Sequence, residues 1–372
     1  MDQSFMKEKP VMPLVITMAI PMTISMLVNS LYNIIDSFYV AKISEQAMTA
    51  LSLVYPAQNL LIAVTVGFAI GMNAVISYYL GAGMKKLADT TATLGLFFNI
   101  LHSLLIGMLC IIGMPAFLGR FSSDPEILRL GTQYAGIVFL FAIPNGAGIS
   151  YEKMFQAIGR MKVSMISMLV GCIVNIILDP LMIFGFGPFP AMGIEGAAWA
   201  TGIGQVVSLV IYLAVYFKDG DNIPVKISLK NLQDSGKTLK KIYGIGIPAA
   251  LNLALPSFMI MVLNGILAAY SASYVLVLGA YYKLQTFIYL TGNGIVQGMR
   301  PICGYNYGAG EYKRVKAIFQ AGLELISVVM LAGTVLCLLI PDRLIGIFTS
   351  NQETVSLGKE ALLIICRGFI LS

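Results

Sequence analysis

Charge is what this sequence lacks most. Only 11% of its 372 residues are charged and 58% are hydrophobic, where a soluble domain carries about 25% charged residues. A water-soluble chain of this length could not hide so much apolar surface in its own cores, so lipid is its solvent. Histidine is nearly absent. The single His102 sits among apolar neighbours, which excludes a histidine-rich metal cluster and leaves the ring a helix-packing role. The five cysteines (Cys110, Cys172, Cys303, Cys337 and Cys366) are scattered through apolar runs without a CxxC pair, against both a disulfide framework and a metal site. No nucleophile triad or phosphate loop is present, so an enzyme is not expected and no cofactor is implied. The GAG triplets at 81–83 and 308–310 read as helix-ending punctuation. The net charge of +6 comes from basic residues spread over short loops and does not indicate nucleic acid.

What is present is a series of long apolar runs, near 13–41, 48–80, 90–113, 130–156, 163–187, 193–217, 243–269, 274–305 and 316–340. A tenth begins near 359. Each complete run is long enough to cross the roughly 30 Å hydrocarbon layer as a helix. The first is too long for a signal-peptide core and is expected to remain as the first span. With the N-terminus inside, the inner loops hold 15 Lys and Arg and the outer loops five. The positive-inside rule therefore predicts a cytoplasmic N-terminus.

The punctuation of the sequence returns after 227 residues. Gly67, Gly71, Met72, Tyr78, Gly81, Ala82 and Gly83 fall on Gly294, Gly298, Met299, Tyr305, Gly308, Ala309 and Gly310. FSSDPEILRLG at 121–131 falls on FTSNQETVSLG at 348–358, and Ile20-Pro21 on Ile247-Pro248. Three matches at one offset predict a tandem repeat of six-helix halves: 1–217, a basic cytoplasmic linker at 218–242, and 243–372. Six helices is an even number, so both halves enter the membrane alike, with the substrate cavity expected between them. The expected fold is an all-α polytopic membrane protein of two pseudo-symmetric halves. The second would be incomplete, giving nine to ten transmembrane helices; completing it would take roughly 80 further residues, so a C-terminal truncation is expected.

Polar residues inside the spans are few and placed on faces. Asn29, Tyr32, Asn33 and Asp36 are spaced 3, 4 and 7 apart on the first helix and share one face. Asn175 and Asp179 share a face of the fifth, where Pro180 frees the Ile176 carbonyl. Polar faces can serve only to join helices, and Asn29 and Asn33 are read that way. A carboxylate at the bilayer centre costs about 2.5–3.5 kcal/mol, so Asp36 and Asp179 are read as functional. Asp36 maps onto Leu263, and the charges of the second half are mostly basic, Lys283, Arg300 and Arg367, with Glu324 the lone mid-helix acid. Ion coupling therefore belongs to the first half. Lys283 either counters a carboxylate in the cavity or snorkels to an interface.

Tyr32-x-x-x-Asp36, GFAIGMNAVISYYLGAG at 67–83, NIILDPLMIFGFGPFPAMGIEGAAWATGIGQ at 175–205 and GMRPICGYNYGAG at 298–310 resemble the MATE (multidrug and toxic compound extrusion) family, in its bacterial DinF-like branch. The resemblance runs over essentially the whole chain. It implies a proton or cation site at Asp36, with Tyr32, Asn175, Asp179 and, on the sixth helix, Thr201 around it. It implies a proton- or sodium-coupled antiporter of the bacterial inner membrane, acting as a monomer on amphipathic, often cationic organic molecules. Asn33, Lys283 and Gln285 are the candidates for the substrate cavity. The 21 methionines suit an adaptable pocket but are also ordinary membrane filler. A lipid-linked precursor flippase of the same superfamily is the alternative; it would be expected to carry a more basic cavity and extra helices. An uncoupled channel or receptor fits the repeat and the buried acid less well.

Overall fold

The computed structural model describes residues 3–228, 234–268, 272–346 and 352–368, and every regular element among them is helical. A single turn, α1 (Phe5–Glu8), precedes the long helices α2 (Val11–Ala41), α3 (Glu45–Gly81) and α4 (Lys85–Leu118). Then come α5 (Pro125–Leu140), α6 (Ala142–Ala157), α7 (Met161–Phe184) and α8 (Ile194–Asp219). After the linker follow α9 (Ser235–Ala268), α10 (Ala272–Gly308), α11 (Tyr312–Leu339), the short α12 (Pro341–Gly346) and α13 (Gln352–Ile365). Among the described residues six helices are long and apolar enough to cross a membrane, and the pair α5–α6 makes a seventh. At 34 and 37 residues, α9 and α10 have the length for two more. The all-α polytopic fold stands.

Two boundaries differ from the sequence reading. The run expected as one span at 130–156 is two helices meeting at 46°. The break falls at Phe141, three residues before Pro144, which has no N–H to offer the Leu140 carbonyl. Phe141 turns onto α8, 5.5 Å from the Trp199 ring and over Gly202, where any Cβ would strike it. The last helix starts at Gln352 rather than near 359.

The chain forms two compact units. One comprises Met1–Lys9, Val28–Ala254 and Arg300–Tyr312; the other comprises Pro10–Leu27, Leu255–Met299 and Lys313–Ser372. Thus α2, α9 and α10 each contribute to both. In the first unit α3 lies on the opening part of α9: a Cβ on Gly67 would stand 2.5 Å from Ala250 Cα, and one on Gly71 3.0 Å from Gly246 N. In the second unit α10 lies on the opening part of α2: a Cβ on Gly294 would stand 2.6 Å from Thr23 Cα, and one on Gly298 2.7 Å from Ala19 Cα. Each pair is the other shifted by 227 residues. Small residues let these backbones touch, as membrane helices require where no hydrophobic force separates protein from lipid. Back in the first unit, Gly81 abuts the Tyr305 carbonyl and Gly308 the Tyr78 carbonyl. A Cβ on Gly304 would stand 3.0 Å from the Cβ of Ser77, its own repeat mate. The repeat read from glycine spacing is therefore an exchange of partners between the two sets of helices.

The linker begins as an extended strap on the first unit. Its backbone N–H groups at Lys226, Ile227 and Ser228 donate to Asp89 Oδ1 (2.7 Å), Tyr216 OH (2.8 Å) and Thr93 Oγ1 (3.0 Å). Ile223 and Val225 are buried beneath it. At the other end of the chain, buried Met6 gives its carbonyl to Asn306 Nδ2 at 3.0 Å, and Lys7 pairs with Glu311 at 2.8 Å.

Candidate functional site

Three buried oxygens without a donor mark one place in the first unit. Asp36 Oδ1 on α2 and Asp179 Oδ2 and Asn175 Oδ1 on α7 are enclosed and find no hydrogen-bond partner among the described residues. Asp36 is 8% exposed, Asn175 2% and Asp179 fully buried. Asp36, Asp179 and Tyr32 lie within electrostatic range of one another. Buried polar atoms are nearly always paired, so three such oxygens in one place mark a candidate polar site.

Local structure explains the convergence. Helix α7 runs unbroken through Pro180 and stops at Gly185, whose φ of +78° ends the turn in the left-handed region. The chain then returns as α8, pinned by Met192 N–H to the Met182 carbonyl (2.9 Å) and Gly193 N–H to the Ile183 carbonyl (3.1 Å). A Cβ on Gly171 or on Gly204 would stand 2.7 Å from the other's carbonyl oxygen. Where these glycines meet, α7 and α8 lie close enough for Asn175 Nδ2 to reach Thr201 Oγ1 at 3.4 Å. The same amide lies 3.4 Å from Asp179 Oδ1. Helix α2 is tied to the end of α7 by Tyr39 against Phe184, ring centroids 6.2 Å apart. Thr201 is seven residues into α8, about 10 Å from its start at 1.5 Å per residue. The site thus lies towards the membrane face opposite the N-terminus, since α2 and α7 both end there.

Asp36, Tyr32, Asn175, Asp179 and Thr201 are brought together. Asn33 is exposed, its amide donating along its own helix to the Asn29 carbonyl at 2.7 Å. Gln285 lies on α10 in the second unit, hydrogen-bonded to Tyr281. The side chains of Lys283 and Arg367 lie outside the described residues, and Glu324 is exposed. Sequence reasoning missed Tyr134 and Gln58. Tyr134 on α5 is 2% exposed, interacts with Asp36, Asp179 and Tyr32, and accepts from Gln58 Nε2 at 3.5 Å. A phenol and an amide inside apolar runs were the available signal, but neither lies one helical turn from an acid as Tyr32 and Asn175 do.

The donors are carboxylate, amide, hydroxyl and phenol oxygens. That set suits a proton or a hard monovalent cation better than a soft metal ion. Among the described residues no group of three or more His, Cys, Asp or Glu could hold a metal.

Comparison with known proteins gives the family. The MatE family model matches residues 21–181 and 248–372, most of the chain, and its two stretches begin one 227-residue step apart. The chain belongs to the MatE family. MatE proteins are membrane transporters and not enzymes. Among curated proteins, a multidrug export protein MepA of Staphylococcus aureus is similar, 27% identical over 369 residues, covering 99% of this chain and 80% of that protein. Among solved structures, an outward-facing multidrug resistance MATE transporter of the MOP superfamily superimposes with a TM-score of 0.91 at 22% identity, covering 100% of this chain and 82% of that one. A MATE protein in its straight conformation gives a TM-score of 0.92 at 22% identity, with the same coverage. At these identities the superpositions speak for the fold.

Proposed function

We propose that this MatE chain is a proton- or sodium-coupled antiporter that exports amphipathic, often cationic organic compounds by alternating access. The observation that carries the reading is the orphaned oxygen cluster of Asp36, Asn175 and Asp179. A carboxylate pair held in lipid without a counter-charge gains several kcal/mol when a proton or cation neutralises it. Coupling follows if the empty and neutralised states favour different packings of α2, whose Pro21 leaves the helix a weak point. Linkage then requires that ion and cargo disfavour each other by the same factor. The cargo class is supported by the MepA relative, a multidrug export protein. The basic inner loops support an inner-membrane protein with its N-terminus in the cytoplasm.

The test uses the purified chain in proteoliposomes loaded with a fluorescent organic cation. A pH gradient and a Na⁺ gradient are imposed separately. Efflux driven by one gradient identifies the ion; efflux that ignores both overturns the coupling. Trp199, the only tryptophan and two residues before Thr201, gives a second readout of ion binding that needs no transport.

A further inference from the structure

The one histidine of the chain joins two helices that belong to different repeats. His102 Nε2 on α4 lies 2.8 Å from the Tyr243 hydroxyl on α9. Phe68 of α3 stands edge-on to the imidazole at 4.8 Å and 5.0 Å from the Tyr243 ring, and Phe98 lies 6.5 Å from each. His102 Nδ1 is buried with no partner among the described residues, so the Tyr243 bond is the imidazole's single polar contact there. Tyr243 sits between Ile242 and Gly246, the two residues that meet Gly71. The polar pair thus sits in the seam where α3 receives the opening part of α9.

The repeat supplies an internal control. Displaced by 227 residues, Phe68, Phe98, His102 and Tyr243 become Ile295, Leu325, Val329 and Ile16. The seam of α10 with the opening part of α2 repeats the glycine contacts and has no counterpart of this pair. The α2 seam has instead Gln297 Nε2 donating to the Met26 thioether at 3.3 Å, a weak acceptor, so the two seams differ in the strength of their polar contact. Both partners of the His102–Tyr243 bond are half-buried and flanked by the Phe68 and Phe98 rings, which gives the bond more hold than a fully exposed one.

We infer that the His102–Tyr243 hydrogen bond is a latch that fastens the opening part of α9 to α3 and α4. The α9 seam is then the firmer of the two. If the alternating-access reading holds, the α2 seam parts first; the latch itself does not depend on that reading, because it concerns the resting contact.

Hydrogen exchange on the intact chain in lipid nanodiscs, without substrate or gradient, tests it. Tyr243→Phe and His102→Phe should each speed exchange in segment 239–250 about tenfold, the effect of losing one hydrogen bond that holds the segment closed. The double variant should exceed neither single one, because both remove the same bond. His102→Gln, whose amide can still meet the Tyr243 hydroxyl, should restore protection. Segment 14–26 of α2 should not change in any variant. Unaltered exchange in 239–250, additive effects in the double variant, failure of His102→Gln to restore protection, or equal loosening of 14–26 would each overturn the latch. Failure of ion-driven efflux in the proteoliposomes would leave these outcomes untouched and bear only on the antiport reading.

Discussion

The amide of Asn175 stands 3.4 Å from the Thr201 hydroxyl, a single bond that joins the carboxylate-bearing face of α7 to α8. With the Asp179 carboxylate, which when ionised only accepts, it turns Nδ2 towards Thr201 and Asp179 and leaves Oδ1 an acceptor without a partner among the described residues. The cluster presents oxygens to its interior because of that orientation.

Thr201→Val keeps the shape of the side chain and removes this bond. Freed from Thr201, the Asn175 amide can rotate and offer nitrogen where oxygen stood. Cation affinity should fall about fivefold, near the 1 kcal/mol typical of one hydrogen bond. Thr201→Ser should retain it. Trp199 fluorescence titrated with Na⁺ at fixed pH, and with acid in the absence of Na⁺, measures both.

Asp36→Asn replaces an ionisable group by a neutral one of equal size. Ion-driven efflux should drop to the level of protein-free liposomes. Thermal stability should hold or rise, since the cost of a carboxylate in lipid, about 2.5–3.5 kcal/mol at mid-helix, is relieved. A variant that inserts normally and still couples would remove Asp36 from the site.

Gly171→Leu and Gly204→Leu should both part α7 from α8. Each new Cβ would stand 2.7 Å from a backbone carbonyl, which cannot rotate away as a side chain can. Overpacking of this kind costs about 1–3 kcal/mol. Both variants should lower the melting temperature and also weaken the cation response of Trp199. A lowered melting temperature with an intact response would uncouple the packing from the site.

The clip on the N-terminal segment should depend on Asn306 far more than on Lys7. Asn306 is fully buried and its Nδ2 bonds the Met6 carbonyl, whereas the Lys7–Glu311 pair is exposed and screened by salt. Asn306→Ala should open residues near Met6 to protease; Lys7→Ala should change little. The Glu311 hydrogen bond raises the Lys7 ammonium above its usual range. Whatever the pair adds is therefore complete at neutral pH and is lost only as alkali titrates the lysine, so protection should be flat from pH 6 to pH 9, a span below the ordinary lysine value.

Much of this architecture was legible because lipid makes few demands and makes them loudly. Long apolar runs report spans, and an acid inside one reports function, so Asp36 and Asp179 stood out. Uncharged polar groups carry no such alarm. Tyr134 and Gln58 sit in apolar runs like any interfacial residue, and only the fold brings Tyr134 within electrostatic range of Asp36. Glu152 and Lys153 are charged and lie at the end of the 130–156 run, yet only the fold shows them enclosed as an ion pair at 2.8 Å, with Gln156 bonded to both. The bend at Phe141 escaped notice for another reason: Pro144 announces a break, but the angle is set by where the Phe141 ring lands on Gly202. Glycine spacing revealed the repeat; that its glycines meet partners from the other repeat could not be read from spacing.

That exchange of partners bears on how the protein is made. Thr23 meets Gly294 and Ala19 meets Gly298, so the opening part of α2 waits for some 270 residues of synthesis before its neighbour exists. At about 5–20 residues per second, the first helix must be tolerated alone in the bilayer for tens of seconds. Neither repeat can be completed as a finished module and set aside while the other is built. Assembly closes like a clasp, and the ribosome must be well into α10 before its first half can engage.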